Sequence, residues 1–264
     1  IDWVSNLGAE VVAIPDTPDD EASLDQTVAT LRERGTRFRI DPILEPIGFG
    51  FAASLARYQQ TRLKWPDCEI MLGIGNLTEL SEVDSAGINF LLAGFCEELG
   101  IRSVLTTQVI NWCRGAVAEL DVSRRIMRHV ILNAVLPKHL DGRLVCLRDA
   151  RFNEIGDDGL QQLASDITDP NFRLFAEGGQ LHLMNRNGYW HGTDPFELFD
   201  RILGAGIEVD PSHAFYLGYE LSKAVTALTL GKQYRQDQAL DWGMHTVEEK
   251  SVHERRKQTK KSSE

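Results

Sequence analysis

Asp41 and Asn76 are the two side chains whose types and surroundings point most directly to chemistry. Each follows a short apolar run, Phe38-Arg39-Ile40 for the first and Glu69-Ile70-Met71-Leu72 for the second. Each also sits among turn formers, Pro42 beside Asp41 and Gly73 and Gly75 just before Asn76. A carboxylate accepts from two donors, and a carboxamide both donates and accepts. An Asp before Pro serves equally as a turn or helix-cap residue, so residue type alone leaves both uses open. Thr106, Thr107 and Gln108 close a later apolar run and are either lining or capping groups.

The elements that must position these residues follow from periodicity. Arg37 to Ile40 and Glu69 to Leu72 have strand length, and Phe51 to Lys64 between them is long enough for a helix. Strand, helix, strand makes a parallel unit whose carboxyl ends open on one side, the usual place for a ligand. The rhythm extends both ways. Glu10 to Pro15 reads as a strand, and Asp19 to Arg34 as a helix with Leu24, Val28 and Leu31 on one face and Gly35 as its stop. Ile88, Leu91, Leu92, Phe95 and Leu99 mark an amphipathic helix ended by Gly100. Arg102 to Thr106 is a fourth strand, followed by a helical region from Asn111 to Val135 with a break expected near Asp121. Four βα units are half of a closed (β/α)8 TIM barrel, and alone they leave open edges.

After Pro137 the texture changes. Arg143 to Leu147 reads as a strand, and FRLFAEGGQLHLMNRN as a hairpin turning at Gly178-Gly179. A helix is expected from Asp194-Pro195 and another from Ser212 to Leu230, its apolar side formed by Leu217, Leu221, Ala224, Val225 and Leu228. The reading is therefore α/β with four parallel units over residues 1–150, a smaller α+β module over 151–245, and a disordered basic tail over 246–264.

The segments IDPILEPI and MLGIGNLTELSEVDSAGINFLLAGFCEELGI resemble the pterin-binding barrel family, which includes dihydropteroate synthases and methyltetrahydrofolate:corrinoid methyltransferases. The likeness is nearest to archaeal-type dihydropteroate synthase-related proteins. It covers roughly residues 8–135, with a second likeness to their carboxyl-terminal module over about 169–242. In the methyltransferase branch an Asp in a DPL-x-LP context and an Asn in a G-x-SN context hold the pterin; Asp41 matches the first, and Asn76 the second with Gly75 in place of the serine. The resemblance thus implies a pterin site at Asp41, Asn76, Gly73, Gly75, Thr107 and Gln108, with Asn76 near the reacting ring nitrogen as the candidate catalytic residue. The sequence departs from the synthases. Their Ser-Arg-Lys run is here Gly75-Asn76-Leu77 and their late Arg-x-His is Leu147-Arg148-Asp149, so the cations that a diphosphate leaving group needs are missing.

Other motifs carry less. Gly48-Phe49-Gly50 and Gly73-Ile74-Gly75 suggest tight turns or close backbone approach to a flat ligand, because Thr78 occupies the third glycine position of a dinucleotide fingerprint. Glu79, Glu82 and Asp84 read as a solvated helix entry. His213, Tyr216 and Glu220 share one helix face, as a polar binding face or a packed surface. The seven histidines have no H-x-x-x-H spacing and the four cysteines no C-x-x-C pair, so no metal is expected and the thiols suit a reduced, cytoplasmic protein.

Bulk properties set limits. At 264 residues with 42% hydrophobic content the chain can fill one large core or two modest ones. A formal charge of -11 opposes a nucleic-acid partner. No apolar run approaches the roughly 20 residues of a membrane span. The chain starts at Ile1 without a signal peptide and is expected to begin mid-protein, its other barrel half lying upstream or on a separate chain. The resemblance implies a pterin-binding, dihydropteroate synthase-like protein of folate or tetrahydromethanopterin one-carbon metabolism, and leaves open whether it is a transferase on a reduced pterin. The alternatives are a noncatalytic pterin carrier whose appended module docks a partner enzyme, and a barrel for another flat heterocycle.

Overall fold

The structure is a computed structural model that describes residues 8–249. The chain divides into two units between Leu144 and Val145.

The first unit alternates short strands with longer helices: β1 (Val11–Ala13), α1 (Glu21–Glu33), β2 (Phe38–Ile40), α2 (Phe51–Lys64), β3 (Met71–Gly73), a single-turn α3 (Gly75–Thr78), α4 (Ser85–Glu98), β4 (Ser103–Leu105) and α5 (Ala116–Asn133). All four strands are parallel. β1 pairs with β2, with Ala13 opposite Ile40, and β3 with β4, with Gly73 opposite Leu105. A single parallel bridge from Ile40 to Ile70 joins the two pairs, and the Ile40 amide donates to Glu69 O at 2.9 Å. Strand order therefore follows chain order, and the four carboxyl ends share one side.

Strand alternation sorts the side chains. Ala13, Ile40, Ile70 and Leu72 point toward the helices and are at most 2% exposed, packed with Val28, Leu31, Tyr58 and Leu92. Each of the Ile and Leu side chains among them contributes roughly 1.5–3 kcal/mol by leaving water. The opposite parity places Val12, Arg39, Met71, Ser103 and Leu105 on the other face, where Val12 is 43% and Leu105 57% exposed. Arg39 crosses this face, donating to Ser103 Oγ and pairing with Glu10 at 3.0 Å.

Two expectations are corrected here. A 3₁₀ turn at Asn111–Cys113 precedes α5, which then runs unbroken through Asp121. The Asp121 carboxylate lies on the outside of the helix and accepts from Arg124 and Arg125 instead of capping a new one. Arg143 to Leu147 forms no strand. Asp141 captures the Arg143 amide at 3.0 Å and its guanidinium at 2.6 Å, and among the described residues no strand pairs with the run.

The second unit holds α6 (Asp157–Asp166), the antiparallel strands β5 (Arg173–Glu177), β6 (Gln180–Asn185) and β7 (Gly188–Gly192), the helices α7 (Pro195–Gly204) and α8 (Pro211–Thr229), and β8 (Tyr234–Arg235). The sheet order is β7-β6-β5-β8. Glu177 opposite Gln180 closes the hairpin through Gly178 and Gly179, both at positive φ as a tight hairpin turn demands. Leu217, Leu221, Ala224 and Ala227 of α8 bury against Leu174, Leu181, Leu183 and Trp190. Sequence pattern does not reveal β7, whose GYWHG is short and bounded by glycines. The cap of α8 is Asp210, not Ser212: Pro211 takes the first helical position, and the Asp210 carboxylate accepts from the Ser212 and His213 amides at 2.9 and 3.1 Å. Of the tail expected from 246, Glu249 is held by the Tyr219 hydroxyl at 2.9 Å and by Lys223 at 3.0 Å; residues 250–264 lie outside the described residues.

Candidate functional site

Asp41 leaves β2 at the carboxyl end of the sheet, its amide donating to Ala13 O at 2.9 Å. The Oδ1 atom accepts from the Tyr58 hydroxyl at 2.6 Å and from the Ile43 amide at 2.9 Å. The Oδ2 atom faces Gly73, where a Cβ would come within 3.9 Å of it. One oxygen is thus spent on orientation, and the other stands beside a residue with no side chain. Burial raises the Asp41 pKa above the ordinary carboxylate range, while the Tyr58 and Ile43 hydrogen bonds pull it back.

The loop after Asp41 is held from below. Arg57, only 7% exposed, donates to Ile43 O at 3.1 Å and Glu45 Oε2 at 2.7 Å, with longer contacts to Pro42 O and Asp19. These bonds keep Ile43 at φ +66, a left-handed conformation that a β-branched residue rarely adopts. Ser54, Arg57, Tyr58 and Thr61 form the buried stripe of α2. That stripe is polar because it serves the carbonyls and the carboxylate of this loop. A search for apolar spacing passes over Tyr58 and Arg57 for this reason, although their i, i+3, i+4, i+7 spacing is visible in the chain.

Asn76 lies on the first turn of α3 rather than at a strand end. It is exposed, and its Nδ2 donates to Leu44 O at 2.7 Å, which ties the β3 side of the rim to the Asp41 loop. Gly75 and Thr107 also meet: a Cβ on Gly75 would lie 3.2 Å from Glu79 Oε1 and 4.0 Å from Thr107 Oγ1. The Thr107 hydroxyl donates to the Glu79 carboxylate. Glu79 is thereby engaged inside the rim, unlike Glu82 and Asp84, which are exposed as a solvated helix entry should be. Gln108 is exposed beside Thr107.

Asp41, Gly73, Gly75, Asn76 and Thr107 therefore share one rim at the carboxyl ends of β2, β3 and β4, with Tyr58 and Arg57, which sequence reasoning did not name, and Glu79, which it read as part of a solvated helix entry. The rim is rich in acceptors, and its one buried cation, Arg57, is paired with Glu45. It suits a neutral ring edge bearing N–H donors far better than a phosphate. No group of three or more His, Cys, Asp or Glu side chains placed to hold a metal ion occurs among the described residues. Cys68, Cys96 and Cys113 are buried, and burial pushes the Cys96 thiol up to about 12, away from nucleophilic chemistry.

In the second unit the helix face of His213, Tyr216 and Glu220 divides. Glu220 is 2% exposed and accepts from the Tyr234 hydroxyl at 2.5 Å and the Asp237 amide at 3.0 Å while pairing with Lys223 at 3.0 Å. His213 is exposed and bonded to Asp210 at 2.9 Å. Tyr216 donates to Asp237 Oδ1 at 2.8 Å.

Parallel strand-helix units with a polar rim at their carboxyl ends place the first unit among α/β proteins, and the comparisons add to this. Residues 167–237 match the family model described as PterinBD-DUF4346, a match that supports a pterin-binding protein. An uncharacterized protein of Methanocaldococcus jannaschii is 29% identical over 248 residues, covering 85% of this chain and 47% of that protein. The chain spans about half the length of this curated relative. No solved structure matches it. Among the described residues no helix is long and apolar enough to cross a membrane.

Proposed function

We propose that the chain binds a reduced pterin of one-carbon metabolism, of the tetrahydromethanopterin or tetrahydrofolate type, at the Asp41–Asn76 rim. The observation that carries this reading is the Asp41 carboxylate at the carboxyl end of parallel strands, one oxygen oriented by Tyr58 and the other bare beside Gly73. A carboxylate so placed accepts from the amino and ring N–H groups of a pterin. The four parallel units form half of a (β/α)8 barrel in this reading. The exposed face of Val12 and Leu105 is then barrel interior, covered by the other half from the same or a separate chain.

The activity that fits is a transfer at the pterin ring, with the amide of Asn76 stabilising charge that develops on the reacting nitrogen. Dihydropteroate synthesis fits poorly, because the rim offers no unpaired cation for a diphosphate leaving group among the described residues. A noncatalytic pterin carrier is favoured by one observation: an amide hydrogen of Asn76 is already given to Leu44 O. The protein works in the cytoplasm in either case, consistent with its unpatterned cysteines.

Calorimetric titration of reduced pterins into the full-length protein tests this, alongside Asp41→Ala and Asn76→Ala. Binding at least tenfold weaker in both variants, about 1.4 kcal/mol each, supports the rim site. Unchanged binding in both places the pterin elsewhere, and turnover with a methyl or pterin acceptor separates enzyme from carrier.

A further inference from the structure

The carboxyl-terminal unit contains a cavity of about 670 Å³ between the edge of β5, the start of α8 and the residues after β8. That volume falls within the range of small-molecule sites. It arises because β8 is two residues long against five in β5, and the chain turns away at Asp237, which has φ +65.

The polar groups at this cavity leave acceptors unused. The Tyr216 hydroxyl donates to Asp237 Oδ1 at 2.8 Å and accepts from Gln236 Nε2 at 2.7 Å. Gln236 Oε1 is buried with no hydrogen-bond partner among the described residues. A buried acceptor left unpaired is rare in folded proteins and marks a place for a missing donor. The other Asp237 oxygen is a second acceptor on the very next residue. The turn that presents both is built from below, since the buried Glu220 accepts the Asp237 amide at 3.0 Å. Of the basic side chains that line the cavity, Arg173 pairs with Asp169 at 2.8 Å, His213 is hydrogen-bonded to Asp210 at 2.9 Å, and Arg235 reaches Asn153 O at 3.4 Å. Phe172 and Phe175 line the same cavity and offer apolar flanks to a flat ring.

We infer that this cavity is a second binding site, separate from the Asp41 rim, for a planar nitrogen heterocycle that presents adjacent N–H donors to Gln236 Oε1 and Asp237. A 2-amino-4-oxopyrimidine edge is the simplest group of that kind. The residues concerned lie within the stretch matched by the pterin-linked family model.

The test titrates two probes into the full-length chain by fluorescence and calorimetry: pterin, which carries the 2-amino group, and pteridin-4-one, which lacks it. Wild type is compared with Asp237→Asn, an isostere that tolerates positive φ, with Gln236→Leu and with Asp41→Ala, each checked for an unchanged melting profile. The expected result is a pterin site weakened at least tenfold by Asp237→Asn or Gln236→Leu, indifferent to Asp41→Ala and left empty by pteridin-4-one. If Asp41→Ala abolishes all pterin binding while both carboxyl-terminal variants bind as wild type, this inference fails and the rim reading stands. If only the carboxyl-terminal variants lose binding, the rim reading fails and this site stands. No pterin binding by folded wild type, or equal binding of pteridin-4-one at this cavity, overturns the inference.

Discussion

The Tyr58 hydroxyl, on a side chain fully buried in the helix α2, donates a 2.6 Å hydrogen bond to Oδ1 of Asp41 at the end of β2. This single bond links the helix layer to the rim and sets which carboxylate oxygen is available to a ligand. Tyr58→Phe keeps the ring and its edge contact with Phe95 but removes the donor. The expected cost is roughly 1.5–3 kcal/mol of stability, the range for a hydrogen bond to a charged group. The Asp41 pKa should rise further, because the lost bond was lowering it. Chemical denaturation and NMR titration of the carboxyl carbon check both effects.

With the pterin at the proposed rim, Asp41 would couple binding to pH. Burial places its folded pKa above the ordinary aspartate value. The folded state therefore holds this proton more tightly than the unfolded chain. The stability that this contributes is present in acid and is lost as the pH rises through the folded pKa. Asp41→Asn should accordingly be neutral or stabilising at pH 7 while weakening pterin binding. In the wild type, affinity should fall as the pH drops through the raised pKa, since protonation removes an acceptor. Affinity measured against pH, with melting curves of the variant, tests the pair of outcomes.

Arg57 holds the loop that follows Asp41. Arg57→Met keeps the bulk but strips the partners from Glu45 Oε2 and Ile43 O. Loss of one member of a buried pair costs on the order of 3–5 kcal/mol. Ile43 is expected to relax from φ +66, and pterin affinity to fall with it. A variant as stable as wild type would show that the loop holds itself.

Gly50 caps α2 at φ +121, and a Cβ there would lie 2.4 Å from Glu45 Oε2. Gly50→Ala is expected to lose about 1–3 kcal/mol, the usual cost of a strained backbone position, and to displace Glu45 from Arg57. Gly35, also at positive φ but with open space around it, provides the comparison: Gly35→Ala pays for conformation without the clash. Urea melts of the two variants separate the terms.

His182 should give the second unit its own pH profile. It is 4% exposed, bonded to Tyr189 at 2.8 Å, and its pKa is lowered chiefly by burial. The unfolded histidine takes up its proton near pH 6.5 and the folded one only at lower pH. Stability is therefore full above about pH 6.5 and declines as the pH falls below it. Thermal melts of wild type and His182→Gln across this range should diverge below that point and run parallel above it.

Much of the scaffold was legible in the chain because it rests on local rules. The apolar runs at Phe38 and Glu69, the helix stops at Gly35 and Gly100, and the Gly178-Gly179 turn each depend on a few adjacent residues, and they place Asp41 just beyond a strand. Other features turn on hydrogen bonds that periodicity does not weigh. Asp121 accepts from Arg124 and Arg125 instead of capping a new helix, and Asp141 captures the Arg143 amide. The orientation of Asp41 by Tyr58, the capture of Glu79 by Thr107, the tie from Asn76 to Leu44 and the unpaired Gln236 oxygen are all contacts between segments that only packing brings within hydrogen-bond reach. Residue types and periodicity thus determined the alternation of β1 to β4 with their main helices, the hairpin of β5 and β6, and the groups available for chemistry. The tertiary structure decided which atoms of those groups are spent within the protein and which remain for a ligand, because hydrogen bonds act over about 3 Å and the chain approaches itself that closely only when folded.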